Sequence, residues 1–227
     1  MDLISSILSA LNEKAEQIVN EGNLILILRE FLDIRDLCMK QYVFSMVGDL
    51  QKNLGGCIKD GLPDFIKSAC ANLFYNEQII DPNQNQLTVC NNACWCLGEM
   101  AVSEANHEVI KPFTNDIVEK LKGIYKSKRL NKSLAQNIAI TLGRLGLINP
   151  EAVAQHLDQI AKQWCVSLRF LKDENDDNQK YQAYKGLCYT ISRNPQIIKK
   201  DFPYFCSALA HYHNPRAELH QIFKGIL

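Results

Sequence analysis

The sequence predicts an all-α fold in which antiparallel helix pairs stack into a solenoid. Apolar residues recur along the chain at the three- and four-residue spacing of a helix face, and no segment alternates with the period of a strand. Short motifs centred on glycine recur at Gly48, Gly98 and Gly143, at spacings of 50 and 45 residues, and a weaker match at Gly186 follows 43 residues later. A repeat of about 40–47 residues that contains two helices is typical of HEAT and armadillo proteins. One such pair cannot bury its own apolar face, so stacked pairs share a continuous core and leave two faces open.

The predicted elements form a HEAT-repeat α-solenoid, a single array of about five repeats over residues 1–227. The predicted helices span residues 2–20, 23–31, 34–54, 62–74, 87–104, 108–126, 134–147, 150–171, 179–193, 199–211 and 215–227. Asp33 is the predicted N-cap of the third helix, Gly55 and Gly56 end it, and Pro63 lies in the first turn of the fourth. The polar segment 75–86 is predicted to be an inserted loop, which explains the long first spacing.

Composition narrows the class of protein. With 25 basic and 25 acidic residues the formal net charge is zero, which argues against direct nucleic-acid binding. The N-terminus lacks the pattern of a secretory signal, and no apolar run reaches the ~18 residues that membrane insertion requires. The nine cysteines lie mostly within apolar helix stripes, so we expect reduced core thiols in an intracellular protein. Because the chain begins and ends inside amphipathic patterns, we expect it to be a fragment of a longer protein.

No pattern of catalytic, cofactor or metal chemistry stands out, and we expect no enzyme activity, no cofactor and no metal. The five histidines are scattered, and Cys90, Cys94 and Cys96 lack the paired CxxC spacing of structural zinc sites. Phosphate-binding glycine motifs and nucleophile elbows are also missing from the sequence. The acidic segment 173–177 has two open interpretations, a solvated loop or a docking site for a basic partner.

The most informative residue is Trp95. In the helix around it, the core stripe is formed by Val89, Ala93, Cys96, Leu97 and Met100, and Trp95 is placed about 150° from the centre of that stripe. Leu87, Asn91, Gly98 and Glu99 are predicted on the same off-core side. Two interpretations remain open: Trp95 covers a joint between helices, or it contacts a partner, as exposed tryptophans in binding hot spots do.

The second helices of the neighbouring pairs place other residues away from their own core stripes. Asp49 is predicted about 160° from Val47, and Ile140 opposite its stripe, near Asn137 and Arg144. Stacking would align these sides on one surface. An apolar patch with nearby acids and amides suits an extended peptide that carries basic and apolar residues.

Several segments resemble the C-terminal HEAT repeats of the transportin (karyopherin β2) family, and the resemblance covers nearly the whole chain. The segments that carry it are VFSMVGDLQK, TVCNNACWCLGEM, NIAITLGRLG, QWCVSLR, YKGLCYTISRNP and DFPYFCSALAHYHNP. Members of this family are importin-β-type receptors that carry cargo through nuclear pores and hold proline–tyrosine nuclear localisation signals on their inner face. The resemblance therefore implies a nuclear import receptor that shuttles between cytoplasm and nucleus.

The resemblance also assigns roles to residues. It places Trp95 against the apolar part of the signal, with Leu87, Asn91, Asn137 and Ile140 at neighbouring positions of the same cargo-binding site. Asp49 and, one repeat earlier, Asp2 are placed opposite basic residues of the signal. Departures from the family pattern are Leu87 in place of the usual isoleucine, Ser9 in place of an acid, and the long 75–86 loop.

The implied partners are cargo proteins that carry these signals, and the small GTPase Ran, which binds N-terminal repeats in this family and releases cargo as Ran-GTP. Ran would contact repeats that this chain does not contain, and nucleoporins are left open as further partners. The alternative is a HEAT-repeat scaffold subunit of a stable complex without a transport role, which predicts a Trp95 buried against another helix.

Overall fold

The computed structural model describes residues 6, 10, 13–76, 78, 84–172 and 177–226, and these residues form helices and turns without a strand. The α-helices are α1 (Glu13–Glu21), α2 (Leu24–Phe31), α3 (Leu37–Leu54), α4 (Leu62–Ala71), α5 (Asn85–Met100), α6 (His107–Ile110), α7 (Thr114–Tyr125), α8 (Lys132–Ile148), α9 (Pro150–Ala154), α10 (Leu157–Leu168), α11 (Asp177–Arg193), α12 (Phe202–Ala210) and α13 (Ala217–Ile226). Short 3₁₀ turns span Lys59–Gly61, Glu104–Asn106, Lys111–Phe113 and Ile197–Asp201. The predicted all-α class is confirmed.

The ends of α3 follow local chemistry, with one correction to the sequence prediction. Asp36, and not Asp33, is the N-cap, because its carboxylate accepts a hydrogen bond of 2.9 Å from the backbone N–H of Met39. At the other end, Gly55 has a φ of 59°, a left-handed conformation that glycine adopts without a steric penalty. Gly55 therefore ends the helix as the sequence predicts.

Three predicted helices are interrupted by a turn or begin later than predicted, after a 3₁₀ turn. The helix predicted over 108–126 is interrupted by the 3₁₀ turn that contains Pro112, whose ring excludes a regular helical hydrogen bond. The helix predicted over 150–171 is divided by a turn at His156, whose imidazole Nε2 lies 2.8 Å from Asn115 Oδ1 and whose Nδ1 lies 3.2 Å from Glu119 Oε1. Before α12, residues 197–201 form a 3₁₀ turn, and Pro203 lies in the first turn of α12.

The chain divides into two compact units, Met1–Phe113 and Thr114–Leu227. In the first unit, α3 lies alongside α5, α4 packs against α5 and α6, and α1 and α2 pack against each other and against α3. Its core contains fully buried side chains from three helices, such as Phe44, Phe65 and Leu97. An ion pair of 2.5 Å between Arg29 and Asp64 joins α2 to α4 at the surface.

In the second unit, α8 lies alongside α11, α10 packs against α8 and α12, and α11 packs against α13. The backbones of α8 and α11 approach so closely that a Cβ atom at Gly186 would lie 2.5 Å from the carbonyl carbon of Gly143. The fully buried Trp164 of α10 donates a hydrogen bond of 3.1 Å from Nε1 to the carbonyl oxygen of Ala139 on α8. The second unit thus consists of helix pairs whose second helices are in direct backbone contact.

Two further observations concern the cysteines and the apolar character of the helices. Six of the nine cysteines are buried, among them Cys90, Cys94 and Cys96 of α5, which agrees with their placement in apolar stripes. In the part of the chain that the structure describes, no helix combines the length and the apolar character needed to span a membrane.

Candidate peptide-binding site

The central feature of the first unit is the contact between Trp95 and Gly48. Trp95 is half-buried on α5, and its indole ring lies directly over Gly48 of α3, where a Cβ atom would be 2.6 Å from Cε3 and 2.7 Å from Cη2 of the ring. One face of the ring thus covers a joint between two helices while part of the side chain stays open to solvent. The two interpretations of Trp95 are therefore compatible.

A hydrogen bond holds the two helices at this distance. Asn92 of α5 donates from Nδ2 to the backbone carbonyl oxygen of Gln41 on α3, over 3.0 Å. Gln41 lies two helical turns before Gly48, and Asn92 lies about one turn before Trp95. The hydrogen bond and the indole contact therefore join α3 and α5 at successive levels along the pair.

Two carboxylates lie near Trp95, at different depths. Asp49 follows Gly48 on α3 and is half-buried, whereas Glu99 lies one turn after Trp95 and is 3% exposed. The buried thiol of Cys96 senses both: burial raises its pKa well above the usual value, and the negative charges of Glu99 and Asp49 raise it further. Both carboxylates therefore lie near Cys96, the residue that follows Trp95 on α5.

The depth of Glu99 corrects the sequence prediction that placed it with Gly98 on an open side. Both residues are buried. A second helix in a stack is covered by its own partner helix and also by the second helix of the neighbouring pair, so its apolar stripe marks only part of its buried surface. Here the neighbouring second helix is α3, which lies along the flank of α5.

Asn91 and Leu87 lie one and two turns before Trp95 and are half-buried, so the three side chains form a row on α5 with four-residue spacing. The helix starts two residues before Leu87, after Gln84, which adopts a left-handed φ of 52°. In the first unit the structure therefore places Leu87, Asn91 and Trp95 on one helix, and Asp49 on the helix beside it. Asp2, the other acid assigned to this site, lies outside the described residues.

The second unit holds the remaining predicted site residues. Asn137 of α8 is half-buried, but Ile140 is only 8% exposed and Arg144 4%. The expectation of an open apolar patch at Ile140 is therefore wrong. Arg144 donates from Nε to Gln182 Oε1 of α11 over 3.0 Å, which shows that α11 covers this flank of α8.

Sequence reasoning missed a cluster on the open side of α11. Tyr181, Lys185 and Tyr189 follow one another at four-residue spacing, and the Lys185 ammonium lies 5.2 Å and 5.6 Å from the two ring centroids. The same ammonium donates to Glu218 Oε1 over 2.7 Å and to the Tyr181 hydroxyl over 3.0 Å, which joins α13 to α11. The alternation of tyrosine and lysine at helical spacing was the available signal, but its partner Glu218 is distant in sequence.

Comparison with known proteins finds transportins among the relatives of this chain. No protein-family model matches the chain. Over 227 residues it is 32% identical to transportin-1 from Homo sapiens and from Mus musculus, a match that covers 100% of this chain and 24% of either relative. The chain is a homologue of the transportins.

Two further relatives extend this result. The chain is 32% identical over 231 residues to transportin-1 from Oryza sativa subsp. japonica, which covers 99% of this chain and 25% of the relative. It is 34% identical over 193 residues to importin subunit beta-2 from Schizosaccharomyces pombe, which covers 77% of this chain and 21% of the relative. The transportin homologue thus spans about a quarter of the length of the curated relatives it matches, and the resemblance found in the sequence motifs is confirmed.

The fold has a counterpart among solved structures. A crystal structure of an engineered protein superposes with a TM-score of 0.66, covering 99% of this chain and 87% of that chain at 20% sequence identity. At this identity the likeness shows the fold alone, and it agrees with the helical-repeat class predicted for the transportin homologue.

Proposed function

We propose that this transportin homologue is part of a nuclear import receptor and binds cargo peptides along the open side of its second helices. The observation that carries the proposal is Trp95, which is held against Gly48 yet partly open to solvent, beside the acid Asp49. The family supports the same conclusion, because the relatives are transportins and an importin. The proposed ligand is a nuclear localisation signal of the proline–tyrosine type.

The side chains of the proposed site match the chemistry of such a peptide. The indole of Trp95 and the side chain of Leu87 offer apolar surface to an apolar residue, and tryptophans are frequent hot spots in interfaces. Asp49 offers a carboxylate to a basic residue. The amides of Asn91 and Asn137 are able both to donate to and to accept from an extended peptide backbone. Asp2, which lies outside the described residues, completes the proposed set as a second carboxylate for basic residues of the peptide.

The remaining steps belong to the whole receptor, of which this chain covers about a quarter. We propose that residues 1–227 form a single array of about five HEAT repeats in the C-terminal part of such a receptor, with 75–86 as an inserted loop. Cargo would be released when Ran-GTP binds repeats upstream, and the receptor would move between cytoplasm and nucleus. This role is one of binding and not of catalysis.

The test is a calorimetric titration of the chain with a peptide of basic and apolar residues that ends in a proline–tyrosine pair. The parent chain should bind it, and Trp95→Ala should weaken binding by about 30-fold, which corresponds to a hot spot of about 2 kcal/mol. The matched control is Phe74→Ala, because Phe74 is a large aromatic residue that is 51% exposed and lies after α4. This control should bind as the parent does.

Equal affinities for Trp95→Ala and Phe74→Ala would place the site elsewhere. A folded parent chain that does not bind at high peptide concentration would favour the scaffold role, or a receptor whose site lies in other repeats. Repeating the titration with the full-length receptor separates these two outcomes, since only a receptor would bind.

A further inference from the structure

Gly48 lies in the middle of α3, where glycine is an unfavourable choice for a helix. Glycine in a helix interior destabilises by about 1 kcal/mol relative to alanine, because it loses more backbone freedom on folding. The structure gives a reason for its presence: three carbon atoms of the six-membered ring of Trp95 occupy the space that a Cβ atom would need. The indole thus takes the place of the missing side chain.

Of the two partners in this contact, the ring is the one that is able to move. The helices α3 and α5 are fixed by the hydrogen bond between Asn92 and Gln41 and by fully buried core residues on both sides, such as Val47 and Leu97. The side chain of Trp95, in contrast, is only half-buried. A methyl group at position 48 would therefore displace the indole away from α3 and leave the helix pair in place.

We propose that Gly48 is a positioning residue that sets the depth of Trp95 and thereby selects the size of the apolar side chain that a bound peptide presents. This inference rests on the proposed function, since it concerns the same site. A ring seated on the backbone of α3 leaves room above it for a large aliphatic side chain. A ring displaced outward by a residue at position 48 fills that room and favours a small one.

The first test needs no peptide. The chain has two tryptophans, and Trp164 is fully buried, so the neutral quencher acrylamide reaches Trp95 in preference to Trp164. Gly48→Ala should increase quenching and shift the emission to longer wavelength. The matched control is Gly123→Ala on α7, because a Cβ atom there meets nothing within 4 Å. This control should leave both signals unchanged.

The second test measures selectivity with two peptides that differ only in one apolar residue, leucine or alanine. The parent should prefer the leucine peptide by roughly 10-fold or more, the ratio expected when a leucine side chain becomes buried. Gly48→Ala should reduce this preference several-fold, Gly123→Ala should keep it, and Trp95→Ala should abolish it with or without the substitution at position 48.

Unchanged quenching in Gly48→Ala would refute the positioning role, whatever the peptides do. An unchanged leucine-to-alanine ratio would refute the selection of side-chain size. If Gly48→Ala does not fold but Gly48→Ala/Trp95→Ala does, the ring clashes with a side chain at position 48 without moving aside, which would overturn the positioning role. If both fail to fold, the clash lies elsewhere and the inference is wrong. Failure of the proposed function has another signature: the parent shows no preference, and Trp95→Ala binds as the parent does.

Discussion

Replacing Gly186 by alanine would insert a methyl group between the backbones of α11 and α8. The new Cβ atom would lie 2.5 Å from the carbonyl carbon and 2.8 Å from the Cα atom of Gly143. Carbon atoms are at their preferred separation at about 3.5–4.0 Å, and the carbonyl oxygen of Gly143 would lie closer still, so the two helices would have to move apart by at least ~1 Å. All three atoms belong to the backbone, and rotation of a side chain is therefore no remedy.

The expected magnitude follows from two opposing effects. Overpacking a well-packed core destabilises by about 1–3 kcal/mol, occasionally more, and a backbone contact belongs at the upper end of this range. The gain in helix propensity from glycine to alanine offsets about 1 kcal/mol. Gly186→Ala should therefore reduce the free energy of unfolding by about 2 kcal/mol. Gly123→Ala, in open space, should raise it by about 0.5–1 kcal/mol.

The assay is urea unfolding followed by far-UV circular dichroism, with midpoint and slope compared between variants. A variant Gly186→Ala that is as stable as Gly123→Ala would refute the close approach of α8 and α11. If the two units unfold in separate transitions, only the transition of the second unit should shift to lower urea, because the contact lies entirely within that unit.

Three further predictions concern local interactions. Burial lowers the pKa of His156 below its ordinary value of 6.5, so the unfolded chain binds more protons than the folded chain near that pH. The free energy of unfolding should therefore fall as the pH drops through about 6.5. His156→Gln should flatten this pH dependence, as measured by urea titrations at several pH values. The side chain of Asn131 caps α8 by accepting from the N–H groups of residues 133 and 134, so Asn131→Ala should destabilise by about 1 kcal/mol in the same assay, whereas Asn131→Asp should have little effect. Burial alone would lower the pKa of Lys185, but the hydrogen bonds from its ammonium to Glu218 and Tyr181 outweigh burial and raise this pKa above its ordinary value of 10.5. Glu218→Gln should therefore lower the pKa of Lys185 and speed its acylation in alkaline buffer. An unchanged acylation rate would contradict the contact with Glu218.

The sequence predicted the row on α5 correctly but misjudged the depth of its residues. Periodicity identified the core stripe and placed Trp95 outside it, as observed. It also placed Glu99 and Ile140 outside their stripes, where the structure finds both buried. A helical period reports the direction of one apolar face, and a second helix in a stack has neighbours on more than that face.

The glycine motifs also show that a pattern along the sequence does not reveal what packs against a given residue. Their spacing predicted the repeat, but the role of each glycine depends on what lies opposite. Gly48 accommodates an indole ring, whereas Gly143 and Gly186 allow two backbones to touch. Three of the four similar motifs thus serve two different contacts, which no spacing along one chain distinguishes.

The sequence by itself determined the all-α class, the paired helices, the helix end at Gly55 and the resemblance to transportins, because these depend on local propensity, periodicity and motif identity. Only the tertiary structure determined that the ring of Trp95 packs against Gly48 and that Glu99 and Ile140 are buried. It also determined that the ion pair between Lys185 and Glu218 joins α11 to α13. The physical reason is that a helix fixes the angles between its own side chains, whereas the depth of each side chain depends on how closely the next helix packs, and that distance is set by residues far away in the sequence.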